Sequence, residues 1–195
     1  MKKGMAWILA AVLCLLLAAG AADGLDWQEA DYGSPAYGGY SSGGISVRLT
    51  KRMATRSGPG TQYTELGSYF KAGMSVTALS AAYDERNGIW WIQTEFTYSG
   101  EKRRAYTGLK RLDMTISQVP VEFIVETDAV LNRSVYGYYG PGYGYTMYNR
   151  KIPAGTTGTV WQTEGDYSQL EFYDADLGQT RRVWVPSNAL EAPNG

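Results

Sequence analysis

Tyrosine carries most of the chemistry this chain has to offer. The 195 residues include 16 tyrosines and six tryptophans but no histidine. Tyr136-Gly137-Tyr138-Tyr139, with Tyr143 and Tyr148 close behind, concentrates aromatic surface in one short stretch. A flat ring with a hydroxyl tip gives contact area and a hydrogen bond together, which suits sugar C–H faces and peptide stems. Tyr63 and Tyr145 follow two Gly-Pro-Gly turns, Gly58-Pro59-Gly60 and Gly140-Pro141-Gly142. Packing on the turn and contact with a ligand are equal alternatives for both. Trp90 and Trp91 are adjacent, so on a strand they point to opposite sides, and Trp90 is taken as the outward one. The candidate ligand-binding set is therefore Tyr63, Trp90, Tyr136, Tyr138, Tyr139, Tyr143 and Tyr145.

Other chemistries find no residues to carry them. Without histidine the chain builds no Ser-His-Asp or Cys-His nucleophile and no His-ligated zinc site. Its single cysteine, Cys14, forms no intramolecular disulfide. The acidic turns Asp84-Glu85-Arg86-Asn87 and Asp174-Ala175-Asp176 do not match an EF-hand loop and read as solvated turns. The Gly-Pro-Gly segments lack phosphate-loop spacing. Lys102-Arg103-Arg104 and Arg181-Arg182 read as charged, solvated hairpin edges. Glu95 and Glu171 are the one carboxylate pair worth weighing for glycosidase chemistry, but a small β-unit leaves no room for a deep site with a raised-pKa acid. The expectation is no enzyme activity, no cofactor and no metal.

The first residues read as an address. Lys2 and Lys3 precede an unbroken apolar run from Met5 to Ala19, and Ala19-Gly20-Ala21-Ala22 supplies small residues for cleavage. Residues 1–22 are therefore expected to be a signal peptide, with an uncleaved anchor as the alternative and no membrane span after cleavage. The remainder carries 16 basic and 19 acidic residues, a net charge of −3 that argues against nucleic acid as a partner. Residues 23–44 are rich in Gly, Ser and Tyr and read as a flexible tether.

Beyond residue 44 the chain repeats itself. Gly58 to Thr64 matches Gly140 to Thr146 at five of seven positions with an offset of 82. The strand Trp91 to Phe96 matches Tyr167 to Phe172 at offset 76, and Arg103 to Tyr106 matches Arg181 to Trp184 at offset 78. Matching Arg56-Ser57 to Arg133-Ser134 at offset 77 leaves Val135 to Tyr139 as a five-residue insertion in the second copy. Short β-rich runs separated by Gly, Pro, Asn and Asp turns predict an all-β chain with no sustained helix. The domains expected are 45–114 and 127–191, joined by residues 115–126, which are too apolar for a free linker and are predicted to form an ordered strand.

Thr55-Arg56-Ser57-Gly58-Pro59-Gly60-Thr61-Gln62-Tyr63, the Trp91-Ile92-Gln93-Thr94 strand and the closing Arg182-Val183-Trp184-Val185-Pro186-Ser187-Asn188-Ala189-Leu190 resemble the bacterial SH3 (SH3b) family over residues 45–191. The resemblance implies two tandem small SH3-like β-barrels. It also implies a non-catalytic accessory module that holds cell-wall peptidoglycan or its peptides, or binds a protein at the cell surface. The expected protein is secreted or wall-associated and monomeric.

Overall fold

Period-2 alternation decides which face of each strand is covered. In β4 (Ser75–Asp84) Val76, Ala78 and Ser80 turn inward, and in β5 (Ile89–Tyr98) Ile92 and Phe96 are buried. The computed structural model describes residues 43–122 and 126–193, so the expected signal peptide, nearly all of the expected tether and the connector residues Phe123, Ile124 and Val125 lie outside the described residues. What it describes is all-β, with short 3₁₀ turns as the only helical elements. No helix among the described residues is long and apolar enough to cross a membrane.

Two antiparallel sheets follow one another along the chain. The first contains β1 (Ile45–Arg48), β2 (Met53–Arg56), β3 (Glu65–Phe70), β4, β5 and β6 (Glu101–Gly108), in the order β1-β4-β5-β6-β2-β3. The second contains β7 (Thr127–Leu131), β8 (Val135–Tyr138), β9 (Met147–Ile152), β10 (Thr157–Glu164), β11 (Tyr167–Asp174), β12 (Gln179–Pro186) and β13 (Leu190–Glu191), in the order β13-β7-β10-β11-β12-β8-β9. Each sheet covers its own core. Val47, Leu49, Phe70, Val76, Ile92 and Phe96 pack in the first, with the Phe70 and Phe96 rings edge-on at 4.4 Å. Leu131, Val135, Ile152, Leu170, Phe172 and Val183 pack in the second. The two sheets belong to one compact unit.

The sheets correct the alignment of the two copies. Arg56 pairs with Tyr106 in the first, and Tyr138 pairs with Trp184 in the second. Val135 to Tyr138 is therefore the counterpart of Met53 to Arg56, at offset 82, and is a strand instead of an inserted loop. The same offset holds upstream: Leu49 N–H donates to Met74 O and Leu131 N–H to Thr156 O, both at 2.9 Å. The Arg-Ser identity at 133–134 misled because two matching polar residues weigh less than strand register, which moves every side chain to the other face if it slips by one. The real length difference is in the hairpins. β4 and β5 have ten residues each, whereas β10 and β11 have eight.

Facing positions exchange volume between copies. The first copy has Thr55 and Ala105 at the two positions, while Gly137 lies against Val183 in the second, where a Cβ on Gly137 would come within 2.8 Å of Val183 Cγ2. Gly137→Ala is therefore expected to destabilise by about 1–3 kcal/mol through overpacking, and Gly137→Ala/Val183→Ala to recover most of that loss in denaturant melts.

Over its described residues 115–122 the connector forms a 3₁₀ turn and one isolated β-bridge. Ile116–Gln118 forms a 3₁₀ turn, its start closed by Thr115 N–H donating to Gln118 Oε1 at 2.7 Å. Val119 then drops into the first core. Ala81 N–H donates to Pro120 O and Glu122 N–H donates to Ala81 O, giving a single parallel bridge against the long β4. Pro120 lacks an N–H and interrupts any longer ladder.

Candidate functional site

The residues that recur in both copies meet at a seam with approximate two-fold symmetry. Tyr63 Oη donates to Glu171 Oε2 at 2.7 Å, and Arg182 Nε donates to the same oxygen at 2.6 Å. The counterparts repeat the arrangement from the other side: Tyr145 Oη donates to Glu95 Oε2 at 2.6 Å, as does Arg104 Nε at 2.9 Å. The backbone follows, with Thr64 N–H donating to Thr180 O and Thr146 N–H to Lys102 O. The two tyrosine rings lie on Gly58 and Gly140, where a Cβ would overlap them, so the Gly-Pro-Gly turns exist to seat these rings.

Several expected site residues are absorbed by this seam. Tyr63 and Tyr145 pack on their turns and reach across to the opposite copy. Arg104, Arg181 and Arg182 are not solvated edge charges. The Arg182 side chain is 2% exposed and stacks over Trp161 at 3.9 Å, while Arg104 forks onto Glu164 through Nη1 at 2.6 Å and Nη2 at 3.1 Å. Asp84 and Asp174 are buried as well, the first accepting from Asn87 Nδ2 and the second from Tyr148 Oη at 2.6 Å.

Electrostatics separates the two carboxylates on the Arg104 and Arg182 sides. Burial pushes Glu95 up, but hydrogen bonds from Lys102, Tyr145 and Arg104 outweigh it and hold the carboxyl below its ordinary value. Glu122, fully buried and bonded by Ser80 Oγ at 3.0 Å, is pushed up by burial despite Arg182 at 3.8 Å. A carboxyl whose folded pKa is lowered contributes stability above the unfolded value and loses it as pH falls through the folded one. Stability is therefore expected to drop as pH falls below the reference carboxylate value of 4.5, with a shallower drop for Glu95→Gln. Thermal melts of the two chains across that range check it.

A second feature belongs to the second copy alone. Tyr138, Tyr143 and Tyr167 stand edge to face around one another, with ring centroids 5.3–6.0 Å apart. Tyr143 is 79% exposed and Tyr136, on the same side of β8, is 46% exposed. Their counterparts in the first copy are Arg56, Thr61 and Trp91. There Arg56 Nη1 donates to Thr61 O at 3.1 Å and Tyr63 O at 2.8 Å, closing the turn, and Trp91 is buried against Ala82 and Tyr106. The same place in the fold is self-closed in one copy and presents three tyrosine rings in the other. Tyr139 is apart from this group, half-buried beside Tyr148 and accepting from Arg181 Nη1 at 3.0 Å. Trp90 is less buried than Trp91 but leans on the first core and on Tyr83, 5.0 Å between rings. Tyr167 was not among the expected site residues, although its alignment with Trp91 marked the position.

A third feature is a cleft of about 600 Å³ along the Arg182 side of the seam. Tyr83, Asp84 and Glu85 of the long β4–β5 hairpin line it together with Tyr63, Glu122 and Trp161. Trp161 stands at a shared β-bulge where the first copy has Leu79. Its indole N–H is buried without an acceptor, a cost of about 1–3 kcal/mol that leucine would not carry. No family model matches the sequence, and no curated protein matches it.

Proposed function

We propose that this chain is an exported, non-catalytic binding module built from two SH3-like barrels, attaching to cell-wall peptidoglycan or its stem peptides through Tyr138, Tyr143 and Tyr167. The observation that carries the reading is the exposed tyrosine group on the second copy, at a place that Arg56 closes in the first. Exposed rings with hydroxyl tips suit a ligand that offers C–H faces and amides. The barrel reading is supported by two successive antiparallel sheets of short strands, with a 3₁₀ turn directly after β6 in the first and after β12 in the second. Export rests on the basic and apolar leader.

A surface protein as the partner is the second reading. Met147, 49% exposed, is the register partner of Tyr138 and adds apolar surface beside it, as a protein contact requires. Co-sedimentation with purified peptidoglycan at low and moderate salt separates the two. Pelleting that is lost in Tyr143→Ala supports the wall reading. A chain that stays in solution with every wall preparation turns the search to a protein partner.

A further inference from the structure

The seam's approximate symmetry is broken on one side, and the break makes a cavity. Around Arg104 the open space is smaller: its guanidinium forks onto Glu164, bonds Glu95 and lies 5.5 Å from the Tyr145 ring centre, and Lys102, 2.7 Å from Glu95, lines with it a cleft of about 280 Å³. Around Arg182 the equivalent space stays open as the cleft of about 600 Å³. Two departures from the repeat line it. Trp161 stands where the first copy has Leu79, and the β4–β5 hairpin, longer than its counterpart, contributes Tyr83 and Asp84.

The lining specifies the ligand. Five carboxylates face two arginines, and one of those, Arg182, is already committed to Glu171, Tyr63 Oη and the Trp161 ring. Tyr63, Tyr83 and Trp161 supply aromatic walls. Glu85 and Glu126, both exposed, stand at the rim with no ion pair among the described residues. Aromatic walls with an acidic rim favour a cation on an apolar stem, through cation–π attraction and steering by the rim charges. We infer that the cleft binds an alkylammonium group of the lysine type, with the stem along Trp161 and Tyr83 and the ammonium among the carboxylates. This site is separate from the tyrosine group on β8 and β11 and does not depend on its ligand.

The test follows the Trp161 indole N–H signal of the full chain by NMR at low salt, assigned with Trp161→Leu. The probes are cadaverine, the N-acetyl methylamide of lysine, and the same derivative of norleucine, which keeps the stem and lacks the charge. A saturable shift with one or both cations and none with the norleucine derivative is the expected result. Cadaverine alone identifies a free diamine, and the lysine derivative alone identifies a peptide side chain. Glu85→Gln/Glu126→Gln, which changes only exposed residues and leaves the fold intact, is expected to weaken binding about fivefold, and Tyr143→Ala to leave it unchanged. No shift with either cation, an equal shift with norleucine, or unchanged affinity in the double variant overturns the inference.

Discussion

Arg182→Ala will destabilise the folded chain by about 3–5 kcal/mol and lower its melting temperature by about 10 °C. The guanidinium is the hub of one side of the seam. It bonds Glu171 at 2.6 Å and Tyr63 Oη at 3.2 Å, lies 3.8 Å from the buried Glu122 and covers the Trp161 ring. Removing it leaves the buried Glu122 without a counter-charge, which costs more than the pair itself contributes. The matching change Arg104→Ala is expected to cost less, because Glu164 and Glu95 are partly exposed and water can replace the lost cation. Arg182→Met/Glu122→Gln should recover part of the loss by removing charge from both sides. Denaturant melts of the four chains check the order. A loss below about 1 kcal/mol for Arg182→Ala would place the seam's stability elsewhere.

The second large effect is on binding. Tyr138→Arg copies into the second half the arrangement found in the first, where Arg56 bonds the carbonyls of Thr61 and Tyr63. The equivalent carbonyls belong to Tyr143 and Tyr145. The new guanidinium is expected to close the turn, break the contact among the three rings and lower wall pelleting by tenfold or more, at about 1–3 kcal/mol for the lost aromatic contacts. Stability should hold or rise slightly, because the change exchanges ring contacts for two hydrogen bonds to backbone. Measuring both quantities on one protein separates a binding role from a packing role. Loss of pelleting with an unchanged melting temperature supports the tyrosine group as the contact surface. Pelleting that survives Tyr138→Arg and Tyr143→Ala together removes it.

Local structure is legible in the sequence. Ser75 to Leu79 alternates, Trp91 to Phe96 is built of β-formers, and Arg86-Asn87-Gly88 and Ser99-Gly100 are turn sequences, and all lie where they were expected. The repeat was readable too, but its register before Gly140 was not. Arg133-Ser134 imitates Arg56-Ser57, whereas the pairing of β8 with β12 is a long-range contact that no local match reports. The seam was hidden for the same reason. Tyr63, Glu95, Arg104 and their counterparts each recur, and recurrence suggested two equal surfaces. The tyrosine hydroxyls bond between the copies, across 50 to 119 residues of chain, and those bonds appear only when the copies are placed together. What recurs here serves the joint between the halves. What differs, Tyr138 against Arg56 and Trp161 against Leu79, opens the surfaces that remain free.

The reciprocal bonds of the seam have a consequence for assembly. Tyr63 of the first half meets Glu171 of the second, and Tyr145 of the second meets Glu95 of the first. That is the rule of an isologous contact, in which i touches j and j touches i. One half therefore holds both sides of the joint and has the means to form it with a second copy of itself. In such a homodimer every substitution enters twice, so a tryptophan that lines one side lines the other. Joining two halves in one chain lifts that constraint and lets the two sides diverge.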